Sequence, residues 1–288
     1  MEQKYVKIIG LFLAFIMVMS ILPLFFSGNG DNSNTGEDTT TDAQDAPGFE
    51  VIDGTHFSAE IDSISDGLTV TPEGVTNAAY VDYARIYNTP LQVFAPNITD
   101  LYSVYNTLIV KRYSASNNDG FAFEAHLLNP EVINFEYMVA DTYNGYQMLS
   151  RGGELYNVIG TPTLLGTSSS LEKVIDVSSG TANVSTEYSE ILSYVEPGAE
   201  YQMLSSEDMI ADQHYLEFRN MGDGNYSRTE VFLNPLDTTL DTISILADNS
   251  SDRNLMYNVD IRDEGRIAKV VITANTSNFY NLAMEKYY

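Results

Sequence analysis

Two stretches of similar pattern decide the fold: LIVKRYSASNNDGFAFEAHLLNP at residues 108–130 and QHYLEFRNMGDGNYSRTEVFLNP at residues 213–235. In each, two runs rich in β-branched and aromatic residues flank a turn that contains Gly, and the second run ends in Leu-Asn-Pro. This pattern predicts a β-hairpin. An ungapped shift of 105 residues places residues 128–130 on residues 233–235. The chain is therefore expected to contain two related hairpins.

The segments around the hairpins follow a common order. Each hairpin is expected to follow a strand and a short helix, and to precede a strand, a Gly turn, a long apolar strand and an amphipathic helix. The alternative to duplication is chance similarity between two α+β segments. The compared segments are residues 93–106 with 201–212, residues 146–166 with 256–274, and residues 168–177 with 276–288.

We therefore predict an α+β fold with two tandem antiparallel-sheet domains, at residues 50–182 and 183–288, which arose by duplication. Short helices beside each sheet are compatible with a ferredoxin-like layout. Before the first hairpin, residues 56–62 alternate like a strand and lead to a turn at Asp66 and Gly67. Residues 78–87 are predicted to form a further strand, although a short helix remains an alternative.

The N-terminal part of the chain predicts a membrane anchor. Residues 8–26 hold nineteen residues without a charge, preceded by Lys4 and Lys7. About 20 apolar residues span a bilayer, and basic residues mark the cytoplasmic side. Residues 1–7 are thus predicted to be cytoplasmic and the bulk of the chain extracytoplasmic. The alternative is a cleaved signal peptide, but the run is longer than a typical signal core and no A-x-A site follows it.

Composition sets limits on the part beyond the anchor. Residues 27–49 are rich in Ser, Thr, Gly, Asn and acids, which predicts a flexible linker. The whole chain has 40 acids, 14 bases and a net charge of −26. Such a charge repels nucleic acid and anionic lipid, so neither is an expected partner. The folded part, with 20 Tyr and 13 Phe in the chain, has enough apolar surface for an ordinary core.

No residue pattern predicts a catalytic site. The chain has no Cys, which excludes disulfides, thiol nucleophiles and Cys-ligated metals. The three His, at positions 56, 126 and 214, show no metal-ligand spacing, and no nucleophile-elbow or phosphate-loop motif occurs. We therefore name no catalytic and no cofactor-binding residue, and an enzyme is the less favoured interpretation.

Calcium is the one cofactor that the sequence suggests. Oxygen-rich loops surround Asp119, Asp223, Asp248 and Asp252, but none matches the EF-hand loop. Ordinary turn chemistry explains the same residues, because Asp, Asn and Gly favour turns.

Five N-x-[ST] sequons provide candidate glycosylation sites. All lie beyond the predicted anchor, at expected turns or element starts, where an acceptor must be exposed. The acceptors are Asn97, Asn183, Asn225, Asn249 and Asn275.

In layout and composition, the chain resembles membrane-anchored envelope proteins of archaea such as methanogens: a signal anchor, a Thr/Asp-rich spacer, an acidic Cys-free ectodomain and scattered sequons. No family motif carries this resemblance. We predict a single-pass cell-surface protein whose paired domains form a non-enzymatic binding or envelope-interaction module, with an envelope or membrane protein as partner. The alternatives are an accessory subunit of a membrane complex and an extracytoplasmic hydrolase with a carboxylate-based site.

Overall fold

A twelve-stranded antiparallel sheet forms the centre of the computed structural model, which describes residues 45–206 and 209–287. Seven α-helices accompany it among these residues. The predicted α+β class with an antiparallel sheet is confirmed. The strands are β1 Phe57–Ser58, β2 Asn77–Asp82, β3 Leu108–Ser116, β4 Ala122–Asn129, β5 Met138–Tyr143, β6 Tyr146–Ser150, β7 Tyr156–Val158, β8 Gly160–Thr161, β9 Thr163–Gly166, β10 Tyr201–Ser205, β11 Ala211–Asn220, β12 Asn225–Pro235, β13 Met256–Arg262 and β14 Ile267–Asn275.

The helices are short, and 3₁₀ turns separate several elements. The α-helices are α1 Ile64–Leu68, α2 Tyr83–Ile86, α3 Ile98–Tyr105, α4 Ser168–Ser178, α5 Ser189–Leu192, α6 Asp237–Asp248 and α7 Phe279–Met284. The 3₁₀ turns are Phe49–Val51, Pro90–Phe94, Ser250–Arg253, Asp263–Gly265 and Thr276–Asn278.

The large sheet runs without interruption through both halves of the chain. Its strand order is β13-β14-β12-β11-β10-β2-β3-β4-β9-β7-β6-β5, and β1 pairs separately with β8 in parallel. At the middle, β2 pairs with β10 over five residue pairs, from Val81 opposite Tyr201 to Asn77 opposite Ser205. Residues 46–288 form one compact unit. The predicted boundary between residues 182 and 183 lies in a connection between strands of this shared sheet.

Helices cover both faces of the sheet. On the face that we call the front, α1, α4 and α5 pack on Tyr113, Phe123, Tyr215 and Val231 in one buried apolar cluster. Alternate strand residues point to the opposite face. There Tyr105 of α3 contacts His126, and Phe279 of α7 contacts Phe218 with ring centroids 6.5 Å apart.

The two halves share a strand order, counted from the middle of the sheet outward. In each, three consecutive strands form a meander (β2-β3-β4 and β10-β11-β12), and a later strand, β9 or β14, returns beside the third. A helix follows that strand in both halves. However, α4 lies on the front face and α7 on the back, so these helices do not occupy equivalent places.

The ungapped shift of 105 residues is wrong as a structural register. In the first hairpin, Arg112 pairs with His126. A shift of both by 105 residues predicts that Glu217 pairs with Val231. In the structure, Glu217 pairs with Thr229 instead. Odd-numbered residues face the front in both hairpins, for example Tyr113 and Tyr215, so an odd shift would also place each side chain on the other face. A ferredoxin-like layout is wrong as well. That motif begins with a strand–helix–strand crossover, whereas hairpins join β10, β11 and β12.

Three local predictions are corrected. The turn expected at Asp66 and Gly67 is helix α1, which Ser63 caps by accepting a hydrogen bond from the N–H of Asp66. The strand expected over residues 78–87 ends at Asp82, whose carboxylate accepts from the N–H of Arg85 and begins α2. The strand expected over residues 56–62 is only β1. Helix α6, which the sequence analysis did not predict, follows β12 directly.

Several predictions fall outside the described residues. The anchor at residues 8–26 and most of the linker lie there, as do two residues of the helix expected between β10 and β11. Within residues 45–206 and 209–287, no helix is both long and apolar enough to cross a bilayer.

Candidate functional site

A buried cluster of polar groups joins β3 and β4 on the back of the first half. Glu124, His126 and Arg112 are each at most 3% exposed. The Nε2 atom of His126 lies 2.8 Å from a carboxylate oxygen of Glu124, and its Nδ1 atom lies 2.9 Å from the Tyr105 hydroxyl. Asn157 donates to that same hydroxyl at 3.0 Å. The cluster therefore continues as a chain of hydrogen bonds through the protein interior.

The hydrogen-bond directions follow from the acceptor-only chemistry of a carboxylate. Because ionised Glu124 can only accept, Nε2 of His126 carries the proton and donates to it. The Tyr105 hydroxyl, which accepts from Asn157, makes the other contact of the ring, at Nδ1. Burial alone would raise the pKa of Glu124, but the Arg112 charge and the His126 hydrogen bond outweigh it and hold the pKa below its ordinary value. Glu124 is thus ionised inside the protein, and Arg112 and His126 stabilise its negative charge.

A second cluster of the same residue types lies in the other half, between β11 and β12. Glu230 contacts the Arg228 guanidinium at 2.5 Å and accepts from Nε2 of His214 at 2.8 Å. Burial opposes ionisation here too, but Arg228 and His214 lower the pKa of Glu230. Arg228 also donates to the backbone carbonyls of Leu282 and Glu285, at 3.2 and 2.7 Å. This cluster therefore fixes the C-terminal helix α7 to the sheet.

Both clusters are structural by their geometry. Their carboxylates are paired with Arg and His in the interior, where Glu124 is 3% and Glu230 1% exposed. A buried pair of this kind costs stability when one partner is lost, and its arrangement fixes strand register. The buried Glu, His and Arg side chains, which are residue types common in catalytic sites, thus hold strands and helices together here.

A groove on the front face lies between α1 and α5. Its volume is about 320 Å³, and its lining offers hydroxyl groups above an apolar floor, with no carboxylate or imidazole in it. Such a lining suits a small uncharged molecule rather than acid–base chemistry. The lining residues are Ser65, Leu68, Thr69, Val184, Ser185, Tyr188, Ser189 and Leu192.

The outermost strand beyond β6 is an exposed edge. Among the described residues, β5 pairs with β6 only, and its other side faces outward. Met138 is 71% and Val139 55% exposed. Both pair with β6 on their inner side, opposite Ser150 and Leu149. Unpaired N–H and C=O groups along an edge offer a template for another strand. We call this strand, with its outward side, the β5 edge.

A β-bulge gives the β5 edge a defined shape. The pairing with β6 shifts between Val139 and Asp141, so one extra residue stands in β5 at Ala140. Bulges at sheet edges bend the strand and interfere with indiscriminate pairing. The β5 edge is therefore exposed, begins with apolar side chains and carries a register shift at Ala140.

The opposite end of the sheet is the second open edge. Strand β13 pairs with β14 and, in the described part of the chain, with no strand on its outer side. Met256 is 65% and Ile261 49% exposed there. Arg262 forms an ion pair with Asp260 on the same strand. We call this strand the β13 edge.

The sequence analysis missed the β5 edge, because it predicted no strand or helix between residues 131 and 145. One signal was available. Asn144 and Gly145 connect β5 to β6 with φ values of 50° and 88°. Asn-Gly is the preferred sequence of a tight hairpin turn, because both residues tolerate positive φ. The edge position itself depends on which strands pair across the whole sheet, which no local signal contains.

The four calcium candidates do not come together. Asp119 lies in a turn that Asn117 organises by accepting from the N–H groups of Asp119 and Phe121. Hydrogen bonds from the Asn225 side chain and from its backbone N–H lower the pKa of Asp223. Asp248 ends α6, and Asp252 lies in the following 3₁₀ turn. Among the residues that the structure describes, no group of three or more His, Asp or Glu is arranged to hold a metal.

The five sequons differ in exposure. Four acceptors are exposed, whereas Asn225 is half-buried at the start of β12. Asn225 stands directly opposite Asn275 in the pairing of β12 with β14. The exposed acceptors are Asn97, Asn183, Asn249 and Asn275.

Comparison with known proteins gives one partial match. A family model described only as a family N-terminal domain matches residues 60–179, which is less than half of the chain. This stretch begins before α1, contains β2 to β9 and ends one residue after α4. No curated protein and no solved structure matches the chain. The match coincides with the half of the sheet that contains the β5 edge.

Proposed function

We propose that this chain is a single-pass cell-surface protein whose folded unit is a non-enzymatic binding module, and that the β5 edge is where it binds a partner. The single observation that carries the proposal is the exposed apolar edge at Met138 and Val139 on an otherwise strongly acidic protein. Adding a strand to an open edge is a recurring mode of recognition: main-chain hydrogen bonds supply affinity, and alternate side chains supply specificity.

The predicted location supports this function. The charge asymmetry around residues 8–26 favours a tether with the folded unit outside the cell. The acidic linker then separates the binding edge from the membrane. Sequons on exposed turns are consistent with an envelope setting. The partner is accordingly an envelope or membrane protein that offers an extended segment.

Site-specific photo-cross-linking tests the proposal. A photoreactive amino acid replaces Val139 in the full-length protein in native membranes, and the control places it at Tyr280, which is 73% exposed on α7. We expect one defined adduct from position 139, none from position 280, and loss of the adduct when Met138→Lys is added. Equal labelling at both positions, or an adduct only from a third probe placed within residues 8–26, would overturn binding at the edge. The second result would instead favour an accessory subunit held by its anchor.

We also infer that the two halves of the sheet arose by duplication of a five-strand unit, with the helices added or moved later. Counted outward from the middle of the sheet, the strand order is β2-β3-β4-β9-β7 in one half and β10-β11-β12-β14-β13 in the other. This correspondence supports a common origin. If each half retains a core of its own, fragments 46–182 and 183–288 should each unfold cooperatively in urea. Fragments that show no cooperative unfolding would contradict two domains.

A further inference from the structure

The β5 edge and the segment that leads into it carry negative charge only. Residues 131–150 contain Glu131, Glu136 and Asp141 but no Lys or Arg. All three acids are exposed. Within the described part of the chain, no ion pair includes any of them. Their charges are therefore available to a partner.

Two bases lie on neighbouring elements, but both make contacts elsewhere. Arg151 directly follows β6, and its guanidinium donates to the Asn157 side chain at 2.9 Å and to the Val104 carbonyl at 2.7 Å. Lys173 of α4 lies over the ring of Phe121, which directly precedes β4. In the strand order, β4 is the fifth strand from this end of the sheet. Neither base neutralises the acids of the β5 edge.

Helix α4 adds negative charge beside the C-terminal end of β5. The Tyr143 hydroxyl donates to the Asp176 carboxylate at 2.9 Å. This hydrogen bond raises the pKa of Tyr143, as do burial and the charges of Asp176 and Glu172. Because Tyr143 stands two residues after Asp141, both side chains project to the same face of β5. The acids of α4 therefore reinforce the negative charge on that face.

The bulge at Ala140 places an apolar and an acidic side chain next to each other. Met138 stands opposite Ser150, and Asp141 stands opposite Met148. Ser150 and Met148 are two positions apart on β6, so they share a face. Met138 and Asp141 therefore share a face as well, whereas regular alternation would put them on opposite faces. An added strand meets both side chains as neighbours.

Other parts of this chain do not complement that pattern. The linker at residues 27–49 contains acids and no base, so the edge repels it. A second β5 edge would bring the same acids together, and like charges that face each other across strands are destabilising. The β13 edge carries no net charge, because its one base, Arg262, pairs with its one acid, Asp260.

Resting on the proposed function of the β5 edge, we infer that its partner is a basic, extended segment of a different protein. This segment sets a Lys or Arg against Asp141 and an apolar residue against Met138. Main-chain hydrogen bonds and the apolar contact supply most of the affinity, because an exposed ion pair contributes little. At physiological salt, charges more than about 8 Å apart are largely screened, so the acids at the edge decide the choice of partner.

Three synthetic peptides test this charge preference. The first is Thr-Val-Val-Val-Lys-Val-Lys-Thr with blocked ends, and in the other two Gln or Glu replaces both Lys residues. Fluorescence anisotropy measures their binding to the full-length protein in detergent at about 0.15 M salt. We expect the Lys peptide to bind at least about three-fold more tightly than the Glu peptide, with the Gln peptide between them. Hydrogen exchange of Met138–Tyr143 should slow when the Lys peptide binds.

A pair of charge-changing variants separates the edge from the acidic protein as a whole. Asp141→Lys should reverse the order, so that the Glu peptide binds more tightly than the Lys peptide. Asp119→Lys makes the same change in net charge in the exposed turn between β3 and β4, and it should retain the preference for Lys. Equal effects of the two variants would show that net charge attracts the peptide, which overturns the inference.

The remaining outcomes distinguish this inference from the proposed function. If the Lys and Glu peptides bind equally and both protect Met138–Tyr143, binding at the edge is retained and the basic partner is overturned. If no peptide binds, mass spectrometry of the adduct from position 139 identifies the captured segment. A captured segment without Lys or Arg overturns the inference alone, and one with such a residue beside an apolar residue supports it. If no peptide binds and position 139 yields no adduct, both proposals fail.

Discussion

Gly67 lies against the ring of Tyr113, so close that a Cβ at Gly67 would stand 2.1 Å from Cδ2 of the tyrosine. The ring cannot move aside easily. Tyr113 is fully buried, and its hydroxyl lies 2.8 Å from that of Thr71. The backbone of α1 thus packs directly on an aromatic ring of the sheet. This contact explains why Gly occurs inside a helix.

Gly67→Ala should destabilise the protein by about 1–3 kcal/mol, because it adds a methyl group to a filled site. A loss of stability would be informative, because Ala is favoured over Gly in an unconstrained helix by about 1 kcal/mol and would otherwise stabilise it. Urea unfolding followed by circular dichroism measures the change. The exposed Ser65→Ala on the same helix is the control and should shift stability by less than about 0.5 kcal/mol. A gain of stability in Gly67→Ala would contradict the packing.

Glu124→Gln should cost about 3–5 kcal/mol, because it leaves the Arg112 charge buried without its carboxylate. The same unfolding experiment measures it. The matched control is Glu190→Gln, which removes an ion pair with Arg266 on the surface and should leave stability unchanged. A cost for Glu124→Gln no larger than that of the control would show that the cluster does not hold β3 and β4 together.

The two clusters also predict how stability depends on pH. The pKa values of Glu124 and Glu230 are lowered in the folded protein from an ordinary value of 4.5, so each carboxylate binds protons less readily when folded. Their contribution is fully present above that value and is lost as the pH falls through the lower, folded-state pKa. Urea midpoints measured from pH 7 to pH 3 should therefore decrease more steeply in the natural protein than in a Glu124→Gln, Glu230→Gln variant. Parallel curves would contradict this assignment.

The hairpins at β3–β4 and β11–β12 could be predicted because alternation and Gly-containing turns are local signals. Helix α1 could have been found from its capping pair, Ser63 followed by Asp66, but Gly67 after Asp66 suggested a turn instead. Its helical state depends on Tyr113, a residue 46 positions away that only the folded sheet brings near. Tertiary packing here overrides a local turn preference.

The shared sheet and its edges could not be predicted in the same way. Pairing of β2 with β10 joins residues more than a hundred positions apart, and nothing local in either strand specifies its partner. The alignment by 105 residues was guided by Leu-Asn-Pro, but residue pairing and side-chain alternation both exclude it. The candidate site, the β5 edge, exists only because of the complete strand order. The sequence led to the prediction of a binding module, but to no position for a binding surface.

Glycosylation should distinguish Asn275 from Asn225. The two acceptors face each other across β12 and β14, Asn225 is half-buried, and Ser227 of its sequon is only 5% exposed. If the protein is glycosylated, glycopeptide mass spectrometry of material from native membranes should find a glycan at Asn275 and none at Asn225. Asn97, whose sequon is exposed at both Asn97 and Thr99, serves as the positive control. Molecules that carry glycans at both Asn225 and Asn275 would contradict the pairing of these strands.

Hydrogen exchange at the β5 edge tests the central claim most directly. Amide exchange is measured by mass spectrometry for a peptide that covers Met138–Tyr143, once in native membranes and once after dilution in detergent. The central strand Tyr201–Ser205, paired on both sides, is the internal reference. We predict that the β5 peptide exchanges at least several-fold more slowly in the membrane, while the reference does not change. Equal exchange of the β5 peptide in both conditions would contradict binding of a strand at this edge.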